Sequence, residues 1–297
     1  MEILSRVSEL RAFRLRHRAA RVAFVPTMGY LHDGHLALVE EARRRADLVI
    51  ASIYVNPTQF GVGEDLDRYP RDLARDRRLL EERGVDLLWT PGDRDMYGEG
   101  ASTFVTVEGS LGTALCGASR PTHFRGVTTV VAKLLQVVRP EIAVFGLKDY
   151  QQFQVVRRMV ADLFLDVEIV GVPTVREDDG LAMSSRNAFL SPEERAQAPA
   201  IRRGLLVAAR AIGLGEVPAL VLGRLREEIV GAGGRLDYVD ILRAENLEGY
   251  GDARLAGGLI GADFPALIAV AAWFGPARLI DNIVVEAPGD GPRGVVG

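Results

Sequence analysis

Strand-like apolar runs alternate with helix-like segments through the first 174 residues, and the first strand-to-helix junction carries the densest chemistry in the chain. Val22-Ala23-Phe24-Val25 reads as a buried parallel strand. Leu36-Ala37-Leu38-Val39-Glu40-Glu41-Ala42-Arg43 has its apolar residues at helical spacing. Between them lie Met28, Gly29, Tyr30, Leu31, His32, Asp33, Gly34 and His35. Gly29 and Gly34 let a backbone pass close to a ligand, and a helix start favours an anion through its unpaired N–H groups and dipole. His32 and His35, three apart, share a helix face. They could donate to a phosphate or ligate a metal. Zinc asks for a third protein ligand, and the remaining histidines are only His17 and His123. The strand-to-helix placement favours phosphate, with a purely structural pair as the plain alternative.

The chain has 297 residues, 48% hydrophobic and 26% charged, enough for one large or two ordinary domains of globular type. Its formal net charge of −4 argues against a general nucleic-acid binder, though not against one bound nucleotide. The single cysteine, Cys116, cannot form an internal disulfide, which suits a reducing cytoplasm. The first 21 residues are charged throughout and do not read as a signal peptide. The longest apolar run, 264–274, is interrupted by Pro265 and too short to span a bilayer. Lys133 and Lys148 are the only lysines, which makes Lys148 conspicuous.

Residues 3–18 read as a first helix. A second strand, 48–55, ends at Asn56-Pro57-Thr58-Gln59, where an open parallel sheet gathers its ligands. Asn56 and Gln59 are placed to hydrogen-bond a small substrate, unless they are simple turn residues. The stretch 61–72 suggests a mobile cover or an ordinary surface loop. A helix over 72–83, strands over 85–89 and 103–107, and a buried helix over 125–139 follow. A strand over 142–145 runs into Gly146-Leu147-Lys148-Asp149, repeating the logic of the first junction: Lys148 brings a point charge to phosphate, and Asp149 caps a helix or meets a ribose. Gln152 follows one turn later. After a strand over 167–172 the texture changes. Met183-Ser184-Ser185-Arg186-Asn187 offers hydroxyls and a guanidinium fork suited to phosphate oxygens. Helices over 191–213 and 217–231, strands over 238–242, 266–273 and 280–285, and a flexible tail over 288–297 complete the reading. The expected architecture is α/β: a doubly wound parallel-sheet, Rossmann-like domain over 1–174 and a smaller α+β domain over 175–297.

Six blocks in order carry a resemblance. They are Pro26-Thr27-Met28-Gly29-x-Leu31-His32-x-Gly34-His35; Val55 to Phe60; Tyr69-Pro70-Arg71; His123-Phe124-Arg125-Gly126-Val127; Gly146-x-Lys148-Asp149-Tyr150-Gln151-Gln152; and Met183 to Asn187. Together they closely resemble the pantothenate synthetase family of the HIGH-motif nucleotidyltransferase superfamily, over about residues 1–286. The resemblance implies ATP-dependent ligation of pantoate and β-alanine through a pantoyl adenylate, releasing AMP and pyrophosphate. It implies ATP contacts from Met28 to His35, from Gly146 to Asp149, from Val175 and from Met183 to Arg186. His32, His35, Lys148, Ser184, Ser185 and Arg186 take catalytic roles, with His35 as a proton donor. Gln59, Gln152, Asn56, Tyr69 and His123 are implied at the substrates, and Asp76 is linked with Mg²⁺. A cytoplasmic homodimer whose C-terminal domain closes as a lid is implied too, with neither nucleic acid nor membrane as partner. Gly98 stands where the family commonly has proline, and Thr122 where it often has glycine. Rival readings are another adenylyl or cytidylyl transferase, a class I aminoacyl-tRNA synthetase, a non-catalytic nucleotide-binding regulator and a zinc hydrolase.

Overall fold

A computed structural model describes residues 1–259 and 261–287. The expected tail over 288–297 lies outside the described residues. The chain divides into two compact units: Met1–Gly112 with Arg120–Leu147 and Gln152–Val172, and Thr113–Ser119 with Lys148–Gln151 and the chain from Pro173 onward.

The first unit is built on a six-stranded sheet. Its strands are β1 (Glu2–Leu4), β2 (Val22–Thr27), β3 (Leu48–Ile53), β4 (Leu87–Trp89), β5 (Ile142–Gly146) and β6 (Glu168–Val172). They lie in the order β1-β4-β3-β2-β5-β6, all pairs parallel. Helices α1 (Val7–Arg16), α2 (Asp33–Arg45), α3 (Leu73–Glu82), the single turn α4 (Asp93–Met96), α7 (His123–Val138) and α8 (Tyr150–Asp162) connect them. Two further single turns, α5 (Ser110–Thr113) and α6 (Cys116–Ser119), precede α7. The apolar run at Val22–Val25 is buried on both sides, as a central parallel strand requires. Ala23 and Val25 join Leu38, Val39 and Ala42 of α2 in one core cluster, and the alternation of side chains turns Phe24 to the opposite face. After β2 the chain winds outward through β3 and β4, then returns to place β5 on the other side of β2. The switch point therefore falls between the carboxyl ends of β2 and β5, where such sheets bind ligands.

Three expectations need correction. The stretch 3–18 is not all helix: Glu2–Leu4 pairs with Leu87–Trp89 as an edge strand, and α1 starts at Val7, where the Glu9 carboxylate accepts the Ser5 and Arg6 N–H groups. No strand forms over 103–107, because helix side chains take the backbone groups a neighbouring strand would have used. The Val105 N–H donates to Thr129 Oγ1 at 3.0 Å, and Thr128 Oγ1 donates to the Val105 carbonyl at 2.6 Å. The helix expected over 191–213 breaks into α9 (Pro192–Gln197) and α10 (Ala200–Gly213), since Pro199 has no N–H to continue the ladder and instead starts the second piece.

The second unit carries α9, α10, α11 (Pro218–Gly231) and the short α12 (Asp252–Gly257) with an antiparallel sheet of β7 (Arg235–Arg243), β8 (Ala266–Phe274) and β9 (Ala277–Val285), in that order. β8 is the central strand and is apolar along nearly its whole length. Ile268, Val270 and Phe274 join Leu205, Ile212, Leu225 and Ile229 of the two long helices in one core. Phe274 is fully buried. Replacing it with alanine removes a large side chain from a close-packed site; Phe274→Ala is expected to cost about 3–5 kcal/mol, read as a lower urea midpoint.

Candidate active site

The end of β2 makes a tight turn whose shape is set from below. Gly29 and Tyr30 both adopt positive φ, +82° and +53°. A side chain on Gly29 would meet Ile53 at 3.0 Å and Asp76 Oδ2 at 3.1 Å, and the positive φ would strain it further, so the turn favours glycine there. Asp76, 1% exposed on α3, accepts the Tyr30 N–H at 2.6 Å and the Leu31 N–H at 2.8 Å. Burial pushes the Asp76 carboxyl above the usual carboxylate range, against the pull of those two donors and of Arg75. Arg75 adds a hydrogen bond to the Leu31 carbonyl at 2.8 Å and lies over the Tyr30 ring. Nothing in the sequence but its place beside Asp76 marked Arg75.

The turn delivers the two histidines to the start of α2. His32 is the N-cap: its Nδ1 accepts the Gly34 N–H at 3.1 Å, and the His35 Nδ1 accepts the His32 N–H at 3.3 Å. The rings sit 4.1 Å apart. With both Nδ1 atoms acting as acceptors, each neutral ring carries its proton on Nε2. Both rings thus stand at the N-terminus of α2, the end of a helix whose dipole and unpaired N–H groups favour an anion.

Beside this turn the chain leaving β3 places Gln59 with its amide nitrogen 3.0 Å from Met28 Sδ. Asn56 sets the orientation. It is 1% exposed, donates to Gln59 Oε1 at 3.2 Å and to the Gly126 carbonyl at 3.2 Å, and its own oxygen accepts from Thr58 Oγ1 and Tyr97 Oη. Asn56, expected at the substrate, therefore has its polar atoms engaged by protein groups, and it leaves the Gln59 N–H₂ end directed to Met28. His123 Nδ1–H and Arg120 both donate to the Gln59 main-chain carbonyl, at 2.9 and 3.2 Å. Arg120 also grips Glu64, within the stretch 61–72 read as a mobile cover or an ordinary surface loop. Burial raises the Glu64 carboxyl, but the Arg120 guanidinium more than offsets it and leaves the group below its usual range. Tyr69 is buried with its ring against Phe60. Gln152 is half-buried in the first turn of α8. Tyr97 and Arg120 escaped the sequence reading, since each acts through a partner far away along the chain.

In the second unit the Val175–Arg186 segment folds back on itself: the Met183 N–H donates to the Val175 carbonyl, and Arg176 bridges Ala182. Asn187 closes the loop onto Glu177 at 2.9 Å. Ser184 caps the following turn by accepting the Arg186 N–H at 3.2 Å. Lys148 has its carbonyl held by Asn282 Nδ2 at 2.9 Å, and its ammonium lies 3.7 Å from Asp149. Lys148 and Ser184 line one small recess, so these two expected phosphate residues share a site. The described residues include no group of three or more His, Cys, Asp or Glu side chains placed to hold a metal ion.

Asp76→Asn would turn an amide N–H₂ toward a main-chain donor; it is expected to cost about 1–3 kcal/mol, with a matching loss of nucleotide affinity by titration calorimetry. Gly126→Ala would put a methyl 2.4 Å from the Thr58 carbonyl and 2.6 Å from Gln59. It is expected to lose about 1–3 kcal/mol in denaturation and to raise the acid substrate's KM by displacing Gln59.

The chain matches the family described as pantoate-beta-alanine ligase over residues 2–284. It is 49% identical to the pantothenate synthetase of Moorella thermoacetica over 290 residues, covering 96% of this chain and 99% of that one. A crystal structure of the pantothenate synthetase from Thermus thermophilus superposes with a TM-score of 0.88 at 53% identity, covering 96% of this chain and 100% of that one. The pantoate-beta-alanine ligase of Francisella tularensis, complexed with a βγ-ATP and β-alanine, superposes with a TM-score of 0.80 at 33% identity, covering 96% of this chain and 97% of that one. A likeness that runs the length of both partners, in sequence and in fold, places this chain in the pantoate–β-alanine ligase family.

Proposed function

We infer that this protein ligates pantoate to β-alanine with ATP, through a pantoyl adenylate. A pantoate carboxylate oxygen attacks the α-phosphorus and the bond to the β-phosphate breaks, releasing pyrophosphate. The β-alanine amine then attacks the acyl carbon: the amide C–N bond forms, the acyl C–O bond breaks, AMP leaves with the electron pair, and the amine proton passes to solvent. Adenylation is what makes the acid reactive, since a carboxylate's own leaving group would be oxide. The observation that carries this reading is the pair of histidines set at a helix start, His32 as the N-cap of α2 and His35 accepting the His32 N–H.

Charge builds on the phosphoryl oxygens as the bond to pyrophosphate breaks, so the protein's task is positioned donors and cations. In the first unit Met28 to His35, Gly146 and Leu147 take the nucleotide, His32 and His35 donating to phosphate oxygens. In the second unit Lys148, Asp149, Val175, Met183, Ser184, Ser185 and Arg186 do so. Gln59 and Gln152 read the hydroxyl and carboxylate of pantoate, framed by Asn56, Tyr69 and His123; leaving such an amide unpaired penalises the wrong acid. Asp76, with both oxygens engaged by main-chain N–H groups, does not fit as an open Mg²⁺ ligand. Mg²⁺ therefore enters as part of the MgATP substrate. Residues 1–174 act as the nucleotide- and pantoate-binding domain, and 175–297 as a lid. A cytoplasmic homodimer completes the proposal; no helix among the described residues is long and apolar enough to cross a membrane.

The test is pyrophosphate exchange into ATP in the presence of pantoate alone, followed by amide formation when β-alanine is added. Exchange with another acid and not with pantoate would assign the scaffold to a different acceptor. His35→Ala is expected to slow adenylate formation by about 10²–10³ while pantoate binding changes little. A single-turnover rate near that of the unsubstituted protein would remove His35 from the chemistry.

A further inference from the structure

The recess that Lys148 and Ser184 line has a third polar wall outside the sequence motifs: Arg202, in the first turn of α10. Leu181 and Leu279 supply apolar sides, and Asp281 is the carboxylate in the lining. Asp281, however, is committed elsewhere. It is 4% exposed and binds Arg176 through both oxygens, at 2.7 and 3.0 Å, while also accepting the Asn282 N–H at 2.8 Å. Arg202 Nη1 is buried and has no hydrogen-bond partner among the described residues. A buried guanidinium N–H without an acceptor is costly, and proteins satisfy such groups. The lining holds two cations, Lys148 and Arg202, and one carboxylate, Asp281, which is already paired with Arg176. Positive charge is in surplus in this lining, and one of its residues keeps a buried guanidinium N–H without an acceptor.

We propose that Arg202 is a further phosphate-binding residue of this chain, donating from α10 to the terminal phosphoryl of the polyphosphate and so to the departing pyrophosphate. The inference rests on the reading that Lys148 and Ser184 face the triphosphate. The recess is small, so one phosphoryl group entering from its mouth is what it takes, not a nucleoside. Burial and the neighbouring Arg176 hold the Arg202 guanidinium below its usual range, with Asp281 opposing. The anion that relieves this unfavourable placement is thereby bound more tightly, and the protein accepts some loss of ligand-free stability for function.

Inorganic pyrophosphate is the probe, titrated calorimetrically into the full-length protein and its Arg202→Met and Arg202→Lys variants, with melting curves taken with and without it. Arg202→Met is expected to weaken pyrophosphate binding by roughly tenfold to a hundredfold and to weaken product inhibition by pyrophosphate in parallel. Its ligand-free Tm should equal or exceed that of the unsubstituted protein, because an unpaired cation beside Arg176 has gone. Arg202→Lys should recover part of the affinity. Unchanged pyrophosphate affinity in Arg202→Met overturns the proposal, as does a lower Tm with affinity not recovered by lysine. If Arg202→Met does not fold, the lysine variant decides: affinity between none and that of the unsubstituted protein supports the proposal, and full affinity with one fixed N–H fork lost overturns it. An unsubstituted protein that neither binds pyrophosphate nor exchanges it with pantoate present sinks the underlying reading. One that does both, indifferent to Arg202, sinks this inference alone.

Discussion

The carboxylate of Asp76 holds the turn on which the first unit's chemistry depends. Two main-chain N–H groups at the end of β2 point inward, and a buried anion on α3 meets both. Without it, Gly29 and Tyr30 would have no reason to keep their left-handed conformations. The following residue, Leu31, is then locked into the core, and His32 arrives where α2 must begin. An interaction that binds no substrate thus decides where two imidazoles stand.

The histidines show how a helix cap can choose a tautomer. An N-cap usually offers a serine, threonine or aspartate oxygen; here an imidazole nitrogen does that work, and the ring's proton is displaced to the far nitrogen. The same device recurs at Gln59. Asn56 takes its oxygen, so the nitrogen is left to face Met28, and Tyr97, far downstream in the chain, holds Asn56. Donor identity at these positions is set by neighbouring side chains and backbone groups.

The second unit uses a different means to the same end. Its phosphate-type loop is a fold-back stitched by main-chain hydrogen bonds, anchored by Asn187 on Glu177 and by the Arg176–Asp281 pair. Adjacent residues on β9 divide the labour: Asp281 neutralises Arg176, while Asn282 holds the carbonyl of Lys148. The charge left over in the lining of that recess is positive, which suits an anion.

Much of this was legible in the residues themselves. Fully apolar runs such as Val22–Val25 suit central parallel strands, and the glycines and histidines after them mark the turn into α2, where Gly29 takes a positive φ and His32 is the N-cap. Proline at 199 was equally legible as a helix break, although the periodicity around it masked the signal. What the sequence could not decide depended on partners distant in the chain. Glu2–Leu4 is a strand only because Leu87–Trp89 lies beside it, and 103–107 is not one because Thr128 and Thr129 reach its backbone first. That Asp76 accepts two main-chain N–H groups is visible only once the β2 turn lies against α3, and Arg202 is an ordinary helical arginine until α10 packs beside the Lys148 loop. Local propensity and pattern are properties of a segment, whereas the direction of a hydrogen bond and the neutralisation of a charge belong to pairs that only the folded chain brings together.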